Sequence, residues 1–281
     1  MLFLYNNDTT IVLLGLFSFK DNEVFMINMI PKIIWTYWDN PIIPQYIQDC
    51  LNTWKIHCKN NWSINILNKN TIKLFLKENV DYPAKIWENI AQQQSDMFGV
   101  ALVNKYGGIY MDANIIMQKS IDFICEKEWF GYCEEENAEV FLFASYKNSY
   151  VINKIHKLFF AIFDMDNNVR LSILKTNFLI KEEYLYPQKL INVLMKTDEI
   201  IKKVISENSL PQWKTIYTLL KYIGSNHNVQ IKAKILSCLN ELTGKIPEDI
   251  LQQPLLKLQG AAIQNSYVEN KNSWLFALLQ K

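Results

Sequence analysis

From Met29 onward the apolar positions switch between two spacings, one suited to strands and one to helices. "KIIWTY" (Lys32 to Tyr37) is a short run of β-branched and aromatic residues and predicts a buried strand. "WDNPIIP" follows as a loop. Pro44 then opens a segment in which Ile47, Cys50, Leu51, Trp54 and Cys58 recur at helical spacing. "WSINIL" (Trp62 to Leu67) predicts a second strand, and Thr71 to Glu78 a short helix. Pro83 starts a longer helix that is expected to stop at Gly107, a glycine C-cap. "GIYMDANI" is the next strand. This β-α-β-α order with short connections predicts an α/β fold: a mostly parallel sheet flanked by helices.

Beyond that strand the pattern changes. "KEWFGYCEEENAEVFLFASY" reads as shorter strands and loops, Ser149 to Phe163 as an apolar helix, and much of 170–240 as helical. Pro247 and Pro254 mark turns before a strand-like "LLKLQGAAI" and a last helix near Trp274. Residues 1–28 read as an N-terminal extension. Their apolar run, Ile11 to Phe19, is about half the roughly 20 residues that a membrane-spanning helix needs. No Lys or Arg precedes it and no small-residue cleavage site follows, so a signal peptide is not expected. The remaining 29–281 read as a single domain, divided into 29–125 and a helical C-terminal part, 126–281.

Composition narrows the function classes. The chain is 49% hydrophobic and 20% charged, which suits a packed globular protein. A formal net charge of +1 offers no basic excess, so nucleic acid is not an expected partner. The five cysteines are scattered and form no C-x-x-C pair. Free thiols in a reducing, cytoplasmic compartment are expected.

Candidate chemistry centres on "KYGGIYMDAN", Lys105 to Asn114. Strand alternation would put Ile109, Met111, Ala113 and Ile115 on one face, and Tyr110, Asp112 and Asn114 on the other. Ligands bind at the carboxyl ends of strands in open α/β sheets. A hard cation such as Mg²⁺ or Mn²⁺ takes carboxylate and amide oxygens, and a diphosphate would complete its charge and ligands. The competing reading is a glycine helix stop followed by an Asp-x-Asn turn that bonds its own backbone. Asp96 lies inside the preceding helix among Met97, Ala101 and Leu102. It is either buried, and then paired or ligand-facing, or part of a solvated stripe. Trp35 and Trp38, near the end of the first strand, are either core residues or a platform for a planar base.

Taken together, "IPKIIWTYW", "NNWSINILN" and "SDMFGVALVNKYGGIYMDAN" resemble the capsular-polysaccharide branch of the DXD-containing sugar transferases. That is glycosyltransferase family 32, related to yeast initiating mannosyltransferases and to clostridial glucosylating toxins. The resemblance covers Ile30 to Asp122 well and the rest loosely. It implies a GT-A fold, with 29–125 as the nucleotide-sugar-binding core and 126–281 on the acceptor side. It also implies transfer of a sugar from a nucleotide donor, a UDP-sugar, with configuration retained and with Mn²⁺ or Mg²⁺ as cofactor. The acceptor would be a surface glycan, and a lipid-linked one would bring the enzyme to the inner face of the membrane. By the resemblance Trp38 stacks on the base, Asp96 contacts the donor sugar, and Asp112 and Asn114 are the first and last DXD positions, with Asn114 a direct metal ligand. Tyr110 shares their face. Lys257, in "LLKLQG", would touch the diphosphate or stay solvated. Trp274 would close over the donor or pack the last helix.

Two departures stand out. Gly99 occupies a position where the family often carries Arg, and Asn114 replaces an Asp. Both favour an alternative: a degenerate domain that binds a nucleotide-sugar without turning it over. A literal D-x-D at Asp164 and Asp166 has no strand or glycine pair before it and reads as a solvated helix end. His57, His156 and His227 are too dispersed to suggest a zinc site.

Overall fold

A computed structural model of the chain describes residues 29–58, 61–130, 133–134, 137–178, 186–209, 243–258 and 271–280. The expected extension at 1–28, the helical period across 210–242, His227, Cys238, and Glu135 and Glu136 of "EEEN" lie outside the described residues.

The first strand, β1 (Ile33–Tyr37), leads into α1 (Gln45–His57) and then β2 (Ser63–Leu67). In α1 the predicted stripe forms: Ile47, Cys50, Leu51 and Trp54 are all buried. Next come α2 (Ala91–Tyr106), β3 (Gly108–Met111) and β4 (Ile115–Met117). Three short strands follow, β5 (Trp129–Phe130), β6 (Cys133–Glu134) and β7 (Asn137–Ala138), then β8 (Leu142–Ser145). The helical part holds α3 (Tyr150–Phe163), α4 (Asn167–Phe178), α5 (Tyr186–Thr197) and α6 (Glu199–Asn208). The C-terminal elements are α7 (Glu248–Leu251), β9 (Leu255–Lys257) and α8 (Trp274–Leu279).

The main sheet has five strands in the order β2-β1-β3-β8-β5. β1 is parallel to β2 and β3, while β8 is antiparallel to both β3 and β5. Of its strands only β8 is therefore reversed, and the sheet is mostly parallel, as the element order predicts. Helices cover it, and the fold class is α/β. Strand alternation splits the core. Ile34, Ile109, Met111, Leu142 and Ala144 pack on one face with α1, α7 and α8. Trp35, Tyr37, Tyr110 and Phe143 pack on the other with α2, α3, α5 and α6. Each large apolar side chain buried this way contributes about 1.5–3 kcal/mol. Among the described residues no helix is long and apolar enough to cross a membrane.

Three predicted elements differ. The helix expected over Thr71 to Glu78 is only a 3₁₀ turn, Ile72–Leu74. Asp81 accepts the Lys77 N–H at 2.7 Å and draws the chain out of helix. The helix expected from Pro83 to Gly107 is broken. A 3₁₀ turn at Ala84–Glu88 is followed by extended Asn89 and Ile90 before α2 begins. The Asn89 side chain donates to the Lys85 carbonyl at 2.9 Å, and the Asn89 carbonyl accepts from the Gln94 amide at 2.8 Å. Such side-chain bonds offer the backbone an alternative to the helix. Finally, the strand expected across Asp112 stops at Met111 and resumes at Ile115.

Candidate functional site

Gly107 ends α2 with φ of +74°, and Gly108 follows at +106°. The left-handed region favours glycine, so this pair can reverse the chain directly from helix into β3. β3 runs parallel to β1, with Ile34 opposite Ile109 and Trp35 opposite Tyr110. Trp38 and Asp112 therefore leave the sheet at the same carboxyl edge, where the open-sheet rule expects a ligand.

At that edge the chain turns. The Ile115 N–H donates to the Asp112 carbonyl at 3.2 Å, and the Asp112 N–H donates to the Phe141 carbonyl at 2.9 Å. The Asp-Ala-Asn segment is thus a β-turn, as the simpler reading of the motif had it. Its side chains, however, do not bond their own backbone. Lys257 Nζ donates to Asp112 Oδ2 and, at 2.7 Å, to Asn114 Oδ1. The expected common face of Tyr110, Asp112 and Asn114 fails for the same reason: strand alternation ends where the turn begins.

Lys257 is held there from several sides. β9 pairs antiparallel with β4, setting Lys257 opposite Ile115. The Leu258 N–H donates to the Asn114 carbonyl at 2.9 Å, so Asn114 grips this strand through backbone and side chain together. The other edge of β4 is satisfied by α1: Trp54 Nε1 donates to the Ile115 carbonyl at 2.7 Å, and Thr53 Oγ1 accepts the Met117 N–H at 2.9 Å. Gln118 ties the start of β9 down through the Ile250 and Gln253 carbonyls, both at 2.9 Å. The Lys257 ammonium also lies 5.2 Å from the centre of the Phe141 ring. Its side chain is 10% exposed, against 29% for that of Asp112. An ammonium this enclosed needs a compensating charge, and Asp112 supplies it.

Behind this pair, Asp96 projects from α2. It is 9% exposed. Burial is the first cause that pushes its carboxyl well above the usual range; Asp112 and Glu139 push the same way, and Lys257 opposes them. Among the described residues no hydrogen-bond donor reaches the Asp96 carboxyl. Of the two sequence readings, the structure therefore gives the buried one. Glu139, from the loop before β8, is a contributor that sequence reasoning missed. Its only sequence signal is a charge placed directly before the apolar run "VFLFA".

The other candidates lie as follows. Trp38 is half-buried against the core beside α1. Trp35 is a core residue whose Nε1 donates to the Gly107 carbonyl at 2.9 Å. Tyr110 is fully enclosed, stacked on Phe143 with its hydroxyl on Ser95, and has no surface to offer a ligand. That burial explains Gly99. A Cβ on Gly99 would lie 2.6–2.8 Å from the Tyr110 ring, so any larger residue there must displace the ring. Trp274 begins α8 and is buried at 7% exposure, in the core that Trp38 packs against. Asp166 makes an exposed ion pair with Lys85 at 3.0 Å, a solvated helix end as read. A depression of about 450 Å³ lined by Lys73, Phe75, Lys105 and Tyr106 contains none of the site residues.

A divalent ion takes its oxygens at about 2.0–2.6 Å from all sides. Here both candidate oxygens, on Asp112 and Asn114, already converge on the Lys257 ammonium. Among the described residues no group of three or more His, Cys, Asp or Glu side chains could hold a metal ion. With Lys257 in place, the pair does not fit a resident divalent cation.

The family described as "Capsular polysaccharide synthesis protein" matches residues 14–243 of the chain. The protein belongs to that family. The match spans Trp38, Asp96, Asp112 and Asn114, whereas Lys257 and Trp274 lie beyond it. No curated protein matches the sequence. Among solved structures, one titled "PaToxG Glycosyltransferase" is similar at 18% identity with a TM-score of 0.38, covering 62% of this chain and 78% of that one. A likeness this distant assigns neither residues nor ligands.

Proposed function

We propose that this capsular polysaccharide synthesis protein transfers a sugar from a nucleotide-sugar donor, a UDP-sugar, to a saccharide acceptor. The observation that carries the reading is the convergence of Asp112, Asn114 and Lys257 at the carboxyl edge of the sheet, backed by a buried carboxyl, Asp96, without a hydrogen-bond donor among the described residues. Sugar hydroxyls are the donors that such a carboxyl lacks. An ammonium and turn amides suit a diphosphate, and Trp38 at the same edge suits a base.

The chemistry then asks little of the protein beyond position and charge. The bond between the sugar's C1 and the β-phosphate oxygen breaks, and its electron pair goes to the departing nucleoside diphosphate. The acceptor's hydroxyl oxygen forms the new bond to C1, and its proton passes to the leaving phosphate oxygen. Attack from the face of departure retains configuration and needs no protein base.

The test is donor turnover across UDP- and GDP-sugars with a saccharide acceptor. Asp112→Ala should lower turnover by about 10²-fold or more, because it releases the Lys257 ammonium aimed at the leaving charge. Turnover that survives Asp112→Ala sinks this assignment of the site. Donor binding without any turnover favours the binding-domain alternative, which Asn114 in place of a carboxylate motivates.

A further inference from the structure

We propose that Lys257 takes the place of the divalent cation in this site: its ammonium, held between Asp112 and Asn114, is the positive charge that receives the donor's diphosphate. The inference rests on the donor-transfer reading above and names what neutralises the leaving group within it. Three observations carry it. First, Lys257 Nζ engages the side-chain oxygens at both ends of the Asp-Ala-Asn turn, where a shared cation would sit. Second, the arrangement is built in. Lys257 is buried, its strand is paired to β4, and the next N–H is bound to the Asn114 carbonyl. Third, Asn114 offers a neutral amide oxygen, which accepts an N–H as readily as it ligates a metal. One carboxylate, Asp112, is then enough to balance one ammonium.

An ammonium has three N–H donors. Two are committed to Asp112 and Asn114, and among the described residues the third has no protein acceptor. A phosphate oxygen arriving at the sheet edge can take that donor. The two departures from the family pattern then have separate causes. Gly99 is required by the Tyr110 ring, and the charge that an Arg there would have supplied comes instead from β9. Asn114 is the neutral partner that adds no second negative charge beside the donor's diphosphate.

The experiment compares the full chain in EDTA and in Mn²⁺, reading both UDP binding by calorimetry and turnover of UDP-sugars. Wild type should bind UDP and turn over equally well in EDTA. Lys257→Ala should lose about 10²-fold in turnover, as for loss of one preorganised donor to the developing charge. Mn²⁺ should restore part of it, because the vacated Asp112 and Asn114 oxygens can then ligate the ion. Lys257→Arg should retain independence from metal. Wild-type turnover that EDTA abolishes and Mn²⁺ restores overturns the inference while leaving the transfer reading intact. Absence of UDP binding and of turnover under every condition defeats the transfer reading itself. Should Lys257→Ala fail to fold, as its melting curve would show, the EDTA comparison on wild type decides alone.

Discussion

The two ends of the β3–β8 pair each bury a carboxyl, and they treat it in opposite ways. At the Gly108–Ser145 end, Glu128 is buried and its Oε1 takes the hydroxyls of both Ser145 and Ser149. Ser149 is also the N-cap of α3 and accepts the Ile152 N–H at 3.1 Å. Burial pushes the Glu128 carboxyl up, and the two hydroxyls draw it back. At the Met111–Leu142 end, Asp96 is as deeply buried but faces Asp112 and Glu139, which push it further up, with Lys257 alone opposing. The difference separates scaffold from site. A buried acid ringed by hydroxyl donors is complete and holds elements together. A buried acid that faces other acids, with no donor among the described residues, is open to a partner such as a ligand.

The sharpest way to break this comparison is Asp96→Asn. Turnover should fall by about 10²-fold or more if the carboxyl binds the donor. Stability should move the other way. A carboxyl raised above its ordinary 3.8 binds its proton more tightly folded than unfolded. Its share of stability is therefore complete below that value and is lost as pH rises through the folded value. Urea unfolding across pH should show the Asn variant gaining on wild type as pH rises. A gain that does not grow with pH would refute the assignment.

Glu128→Ala sharpens the other half. It removes the buried acceptor that the Ser145 and Ser149 hydroxyls share and should cost about 2–3 kcal/mol in urea unfolding. UDP binding by the folded protein should stay unchanged. Loss of UDP binding would erase the distinction between the two ends.

The smallest effect concerns the packing beneath the site. Gly99→Ala presses a methyl into the enclosed Tyr110 ring and should cost about 1–2 kcal/mol. Pairing it with Tyr110→Leu should recover part of that loss, because contacting residues couple by about 0.5–3 kcal/mol. Simple additivity in a double-mutant cycle would show that Gly99 does not answer to Tyr110.

Much of the scaffold was legible in the sequence. The stripe of Ile47, Cys50, Leu51 and Trp54 gave α1 its buried face, and Ser149 capped α3 where the apolar period begins. The paired glycines stopped α2 and released β3. What periodicity misread were stretches decided by single polar side chains. Asn89 interrupts a pattern that is apolar enough for helix, and Asp81 cuts short the turn after Thr71. Both act through hydrogen bonds that leave the apolar spacing intact.

The site divides along the same line. The sequence by itself determined that Asp112 and Asn114 belong to one short polar motif, that Trp38 lies near the end of an earlier strand, and that Asp96 sits inside a helix. Local spacing carries that much, because strand and helix periods are properties of neighbouring residues. Only the tertiary structure decided what those groups face. Lys257 reaches Asp112 across 145 residues, through the pairing of β9 with β4. Glu139 approaches Asp96 from a loop, and Tyr110 turns away into the core over Gly99. Partners so distant in sequence share no period, and their meeting is fixed by strand register and packing, which exist only once the chain has folded.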